Sequence, residues 1–277
     1  MNFLSVAEVA KLWSMSERSV RNYCAEGRIP GAILVGKTWM IPSDAAKPNR
    51  KARTSNSKKT LLYILKLEKE SKLKGGIYHK VQIELTYNSN HIEGSCLTHD
   101  QTRYIYETNT IGLTNEVINV DDIVETANHF KCVDMCIKNA KYQLTENFIR
   151  QLLLTLKNGT KVSREDWYMS ESYKTFSDSA KLLLYEYNAL ENPDLKDILL
   201  FHSKFEKKSP LVLDDRRIGR LLVFKECLKN NIKPFVIDHE ISENYYALLE
   251  SATENLDELC ALCHKAQERF FVNVKTE

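Results

Sequence analysis

The sequence predicts a mainly α-helical protein: an all-α body preceded by a small N-terminal unit with a β-hairpin. Three observations predict this. From Thr60 onward apolar residues recur at helical spacing, and the only strand-like run is Phe235-Val236-Ile237. The clearest pair of strands, Ile33 to Ile41, folds about a Gly36-Lys37 turn near the N-terminus. Between the two parts, residues 45–59 (AAKPNRKARTSNSKK) hold six basic residues, no acidic one and no apolar period, which is the composition of a tether. The expected divisions are therefore 1–44, 45–59 and 60–277.

Within the head, Ser5 is placed to cap a helix in which Val6, Val9, Ala10 and Trp13 share one face. Ser14-Met15-Ser16 breaks that pattern, and Ser16 caps a second helix from Glu17 to Ala25. Val20 and Tyr23 turn inward there, leaving Arg18, Ser19, Arg21 and Asn22 outward, and Gly27 stands where a helix-ending glycine belongs. With the hairpin as a wing, the unit resembles the MerR/excisionase type of winged helix-turn-helix. That resemblance implies double-stranded DNA as partner of residues 1–59. Ser16, Arg18, Ser19, Arg21 and Asn22 would sit at the major groove, with Arg28 and Lys37 on phosphates. A helical pair with a solvated charged face, binding protein or nothing, accounts for the same pattern.

Charge supports an anionic partner for the head alone. Residues 1–60 carry 11 Lys/Arg against 4 Asp/Glu, whereas the remaining 217 carry 28 against 33. No apolar run approaches the ~18 residues of a membrane span, and the N-terminus lacks the pattern of a secretion signal. The expectation is a cytoplasmic protein that does not enter membranes. Seven cysteines, an odd number, are then expected to be reduced. Cys260-Ala-Leu-Cys263-His264 matches a c-type haem attachment pattern, but it falls in a helical stretch where the cysteines read as small apolar residues. His129, Cys132 and Cys136 share a helical face and read as core, so no metal is expected.

In the body, helices are expected from Leu61 to an end at Gly75-Gly76, through Tyr78 to Thr86, and after a capping box at Thr98–Gln101. Asp121 and Thr145 are expected to cap the next two. Periodicity lapses between Asn158 and Ser179, then returns near 180–190, 194–206, 217–229, 242–250 and 254–270.

One stretch, Phe201 to Arg220 (FHSKFEKKSPLVLDDRRIGR), resembles the signature of the Fic (Fido) family, His-Pro-Phe-x-(Asp/Glu)-Gly-Asn-Gly-Arg-x-x-Arg. Pro210, Arg217, Gly219 and Arg220 match. Ser209 stands for the histidine, Leu213 for the acidic residue, and Asp214, Asp215 and Arg216 for Gly-Asn-Gly. Ser89-x-x-x-Glu93-Gly94 resembles the inhibitory motif of the class with an N-terminal inhibitory helix, whose glutamate pairs with the second signature arginine. Further matches lie at 98–108 (THDQTRYIYET), 120–130 (VDDIVETANHF) and 217–238. The resemblance covers about residues 60–250 and implies the Fic helical bundle.

It also implies a chemistry, transfer of AMP from ATP to a protein hydroxyl, whose parts are missing. A base must take the hydroxyl proton, which Ser209 cannot do. A carboxylate must hold Mg²⁺ on the phosphates, which Leu213 cannot do. Asp214 and Asp215 would oppose a polyphosphate, each at about 4 kcal/mol for a ~4 Å contact and an effective dielectric near 20. Only Arg217 and Arg220 remain as phosphate ligands. The stretch 158–178, where the family has a flap that aligns its target, lacks a clear glycine-bearing hairpin. His202 reads as packed, His91 as a surface group, and Asp214 replaces a metal ligand only if the loop changes shape.

The expected function is thus a DNA-binding regulatory or interaction protein with a catalytically silent Fic-like body. It would need no cofactor, and a homodimer and a protein partner of the body are expected. The alternative is an adenylyltransferase using ATP and Mg²⁺, restrained by Glu93.

Overall fold

The computed structural model describes residues 3–25, 28–36, 38–48, 60–112, 117–161, 178–208 and 215–272. Gly27, Lys37, the end of the tether, the 162–177 region, Ser209, Leu213 and Asp214 lie outside the described residues. The chain divides into two units, Met1–Lys58 and Lys59–Glu277.

In the first unit, strand β1 (Phe3–Ser5) leads into helices α1 (Val6–Leu12) and α2 (Glu17–Ala25), then strands β2 (Ile33–Val35) and β3 (Thr38–Pro42). The sheet is antiparallel in the order β1-β3-β2, with Leu4 opposite Ile41 and Leu34 opposite Trp39. Strand β1 was not anticipated, because three residues are too few to show alternation. Ser5 caps α1 in a full capping box: its hydroxyl accepts from Glu8 N at 3.3 Å while Glu8 accepts from Ser5 N at 2.8 Å. Ser16 accepts from Ser19 N at 3.2 Å, starting α2. Val9, Trp13, Val20, Cys24 and Ile41 close the core of this unit. Lys47 donates to the Trp13 carbonyl, tying the chain after β3 back to the helix pair.

The second unit holds helices α3 (Leu61–Ser71), α4 (Ile77–Ile92), α5 (His99–Thr108), α6 (Val120–Asn139), α7 (Glu146–Leu156), α8 (Asp178–Asn188), α9 (Leu195–Lys208), α10 (Asp215–Lys229), α11 (His239–Glu250) and α12 (Leu256–Phe271). Thr98 and Gln101 make the expected capping box, and Thr145 caps α7. Helix α6 is capped by Asn119 rather than Asp121, which instead lies in the first turn, where its charge suits the helix dipole. Phe235–Ile237 is not a strand; Phe235 and Ile237 are buried in the core from a segment outside the helices. Among the described residues no helix is long and apolar enough to cross a membrane.

Helix α10 runs through the middle, packed by α9, α6, α4, α3 and α7. Residues 217–228 are buried apart from Arg220, which is half-buried. A helix covered on every side has no polar face to spare, so its charged residues must find partners inside. Lys225 and Glu226 are both fully buried and pair at 2.7 Å. Lys225 also donates to Tyr142 O at 2.6 Å, and Glu226 accepts from Tyr187 and Lys229. Burial pulls the Lys225 ammonium below its ordinary range against the pull of Glu226. Gly219 makes close packing with α9 possible: a Cβ there would meet His202 Nε2, and Glu206 Oε1 at 2.6 Å.

Glu226→Ala is expected to lower unfolding stability by about 3–5 kcal/mol, because it strands the Lys225 charge. Lys225→Met combined with Glu226→Gln is expected to cost less than Glu226→Ala alone. Urea unfolding at neutral pH reads both.

Candidate functional site

Helix α4 continues to Ile92, so Ser89, Asn90 and Glu93 come from its last turn and C-cap, facing α10. Arg220 binds there with its whole guanidinium. Its Nε donates to Ser89 Oγ at 3.1 Å, one terminal nitrogen to Ser89 O at 2.8 Å, and the other to Glu93 Oε1 at 2.9 Å and to the Tyr246 hydroxyl. The pair is well covered, with the Arg220 side chain 10% and Glu93 22% exposed. Gly94 follows at φ +93°, where the chain turns out of the helix.

One turn earlier on α10, Arg217 donates to Glu125 Oε2 of α6 at 2.6 Å and to Asn90 Oδ1 at 3.4 Å. Lys157 holds the other oxygen of Glu125 at 2.5 Å, and Asn90 donates to Thr126 at 3.1 Å. Both expected phosphate ligands therefore already face carboxylates. Arg216 is exposed and lies over the Tyr246 ring at 4.4 Å, and Asp215 opens α10. Sequence reasoning missed Glu125, Asn90 and Tyr246. Glu125 and Thr126 sat inside the matched stretch 120–130, but no spacing rule marks a carboxylate as the partner of an arginine 92 residues on.

Behind the Arg220 clasp lies a cavity of about 30 Å³, walled mainly by Leu85, Phe224, Phe235, Ile237 and Tyr245. That volume holds one or two waters. His129 of α6 lines it; its Nδ1 bonds Thr86 Oγ1 at 2.9 Å, and its Nε2 has no hydrogen-bond partner among the described residues. Complete burial, with Arg217 and Arg220 adding to it, pushes His129 down to about 3. A neutral imidazole is thus the form that this packing accepts. His202 is fully buried between Tyr245 OH at 2.9 Å and Glu206 Oε1 at 3.0 Å. His91 stacks on Tyr87 and bonds Ser95 O at 3.2 Å. Cys132, Cys136, Cys260 and Cys263 are buried in the core.

On the head, α2 presents Arg18, Arg21 and Asn22 to solvent, with Ser19 half-buried. Ser16 and Ser19 hydroxyls bond at 2.9 Å, Glu17 holds Arg21 at 2.6 Å, and Arg28 stacks on Tyr23 at 4.2 Å.

His129 gives stability a defined pH dependence. Above its ordinary value of 6.5 it is neutral folded and unfolded; between 6.5 and about 3 the unfolded chain takes up a proton that the native state excludes, so stability falls with pH across that window. His129→Gln is expected to make this fall shallower, read as urea midpoints from neutral pH to pH 4.

Comparison with known proteins agrees with both parts. Residues 3–45 match the family model described as helix-turn-helix domain. No curated protein matches the chain. Among solved structures, a Fic domain containing signaling protein from Bacteroides thetaiotaomicron is similar, with a TM-score of 0.55 and 21% identity over 76% of this chain and 95% of that one. A fragment of Fic-1 from C. elegans is similar at a TM-score of 0.53 and 17% identity, over 76% of this chain and 69% of that one. Residues 3–45 are thus a helix-turn-helix domain, and about three quarters of the chain carries the fold seen in Fic-domain proteins.

Proposed function

We propose that the protein is a cytoplasmic DNA-binding regulator whose Fic-fold body holds its own arginines closed and does not transfer AMP. The observation that carries this is the pair of ion pairs on α10: Arg220 with Glu93 at 2.9 Å and Arg217 with Glu125 at 2.6 Å. ATP with Mg²⁺, which the resemblance implies, does not fit the residues present. The two remaining phosphate ligands are neutralised from within, Leu213 offers no metal ligand, and Ser209 offers no base. The body then serves as an interaction module, with a protein partner, for a head that reads DNA. On α2, Arg18 and Asn22 are the exposed side chains suited to base edges, and Arg28 and Lys37 are the cations that the resemblance assigns to phosphates.

Gel shift against genomic fragments at a stated salt concentration tests the first half. A preferred fragment is expected, and Arg18→Ala or Asn22→Ala is expected to weaken it by about 1–3 kcal/mol while leaving nonspecific binding near unchanged. Equal binding to every fragment ends the regulatory reading. Titration calorimetry with ATP and Mg²⁺ tests the second half, and no heat of binding is expected.

The Glu93–Arg220 contact also favours a second reading, an adenylyltransferase restrained by Glu93. Labelled ATP with Glu93→Gly decides it: label on the protein itself or on a partner establishes transfer, and none is expected.

A further inference from the structure

We propose that the cavity behind the Arg220 clasp binds one ordered water between His129 and Ser89, and that this water turns the Ser89 hydroxyl toward Arg220. Polar groups at the cavity are left over once the contacts among the described residues are made. His129 is fully buried; Thr86 takes its Nδ1, and its Nε2 has no partner among those residues. Ser89 is 5% exposed, and its Oγ accepts from Arg220 Nε at 3.1 Å, but no described residue accepts its hydroxyl proton. Val236, between α10 and α11, also lines the cavity, and its backbone makes no hydrogen bond among the described residues. Buried polar atoms in folded proteins are nearly all partnered, by protein or by water.

The placement of these groups suits a single water. Thr86 and Ser89 stand three residues apart on α4, so they share a face of that helix. Thr86 holds the His129 ring against this face at 2.9 Å, and His129 and Ser89 both line the cavity without bonding each other. The cavity volume of about 30 Å³ exceeds the roughly 10–15 Å³ that one water needs. A water there accepts the Ser89 proton and pairs with Nε2 as donor or acceptor, whichever the tautomer requires. It has a bond left for the Val236 backbone, which completes the two to four partners of a retained water. Tyr245 does not compete, because its hydroxyl is bonded to His202 at 2.9 Å. An apolar occupant would leave Nε2 and the Ser89 proton unpaired, so the chemistry selects water.

The consequence falls on the clasp. A hydroxyl proton rotates to suit its surroundings unless an acceptor holds it. Drawn to the water, the Ser89 proton leaves a lone pair facing Arg220 Nε. His129 is thus a positioning residue for Arg220, acting through the water and Ser89 rather than by its own hydrogen bond. The site needs neither DNA nor a nucleotide.

High-resolution crystallography of the full chain, with hydrogen exchange at Arg220 Nε followed by NMR, tests both halves. One ordered water is expected within hydrogen-bond distance of His129 Nε2 and Ser89 Oγ in the wild type. His129→Phe is expected to lose that water and to speed exchange at Arg220 Nε about tenfold. His129→Gln, which keeps a polar atom near the place of Nε2, is expected to retain the water and the slow exchange. A wild type without a water bridging the two residues overturns the proposal. His129→Phe and His129→Gln variants that behave alike overturn the positioning role.

Discussion

Helix α10 is buried on almost every side while carrying Arg217, Arg220, Lys225 and Glu226, and that constraint organises the rest of the body. A buried cation is tolerable only beside an anion and enough hydrogen-bond acceptors. Each neighbouring helix supplies some of these. Helix α4 ends where Ser89 and Glu93 can take Arg220, α6 places Glu125 for Arg217, and α11 adds the Tyr246 hydroxyl. Lys225 and Glu226 meet their need within α10, helped by Tyr142 O and Tyr187. The packing of α4, α6 and α11 on α10 is therefore fixed by charge as well as by shape.

The same constraint accounts for His129. An imidazolium inside this cluster would be a third cation between two guanidinium groups with no carboxylate left to share, so the ring stays neutral well below its ordinary value. Its Nδ1 is fixed by Thr86, and the residue lines a space with room for one or two waters.

Much of this fold was legible in the sequence because its signals are local. Ser5, Ser16, Thr98 and Thr145 cap their helices through residues only three positions away, within reach of spacing rules. The Glu93–Arg220 contact was legible too, though only because two separated motifs resembled one family's pattern. Glu125 was not. Its meeting with Arg217 joins α6 to α10 across 92 residues, and nothing near Glu125 distinguishes it from a solvated carboxylate in the second turn of a helix. Phe235–Ile237 misled for a related reason: a short apolar run reads as a strand, whereas here it is covered by the core and pairs with no strand. Asn119 was passed over for Asp121 because both residue types cap helices, and the choice between them rests on backbone geometry.

Whether a nucleotide could open the site is a question of magnitude. A phosphate approaching α10 must displace Glu93 from Arg220 and Glu125 from Arg217, and each carboxylate would be left partly buried without its cation. Breaking a buried pair by losing one partner costs about 3–5 kcal/mol, which applies to Arg217 and Glu125, whereas Glu93 is reached by solvent and its loss costs less; the sum is set against the ~8 kcal/mol that a micromolar ligand brings. Tyr246 and Ser89 would lose their arginine as well. A metal ion would offset the phosphate charge, yet the Leu213 side chain carries no oxygen to bind it. A ligand shifts an equilibrium only by its differential affinity for the two states, so a nucleotide would have to supply what these contacts give up. Arg217 and Arg220 are joints of the bundle, each held by a carboxylate that a neighbouring helix supplies.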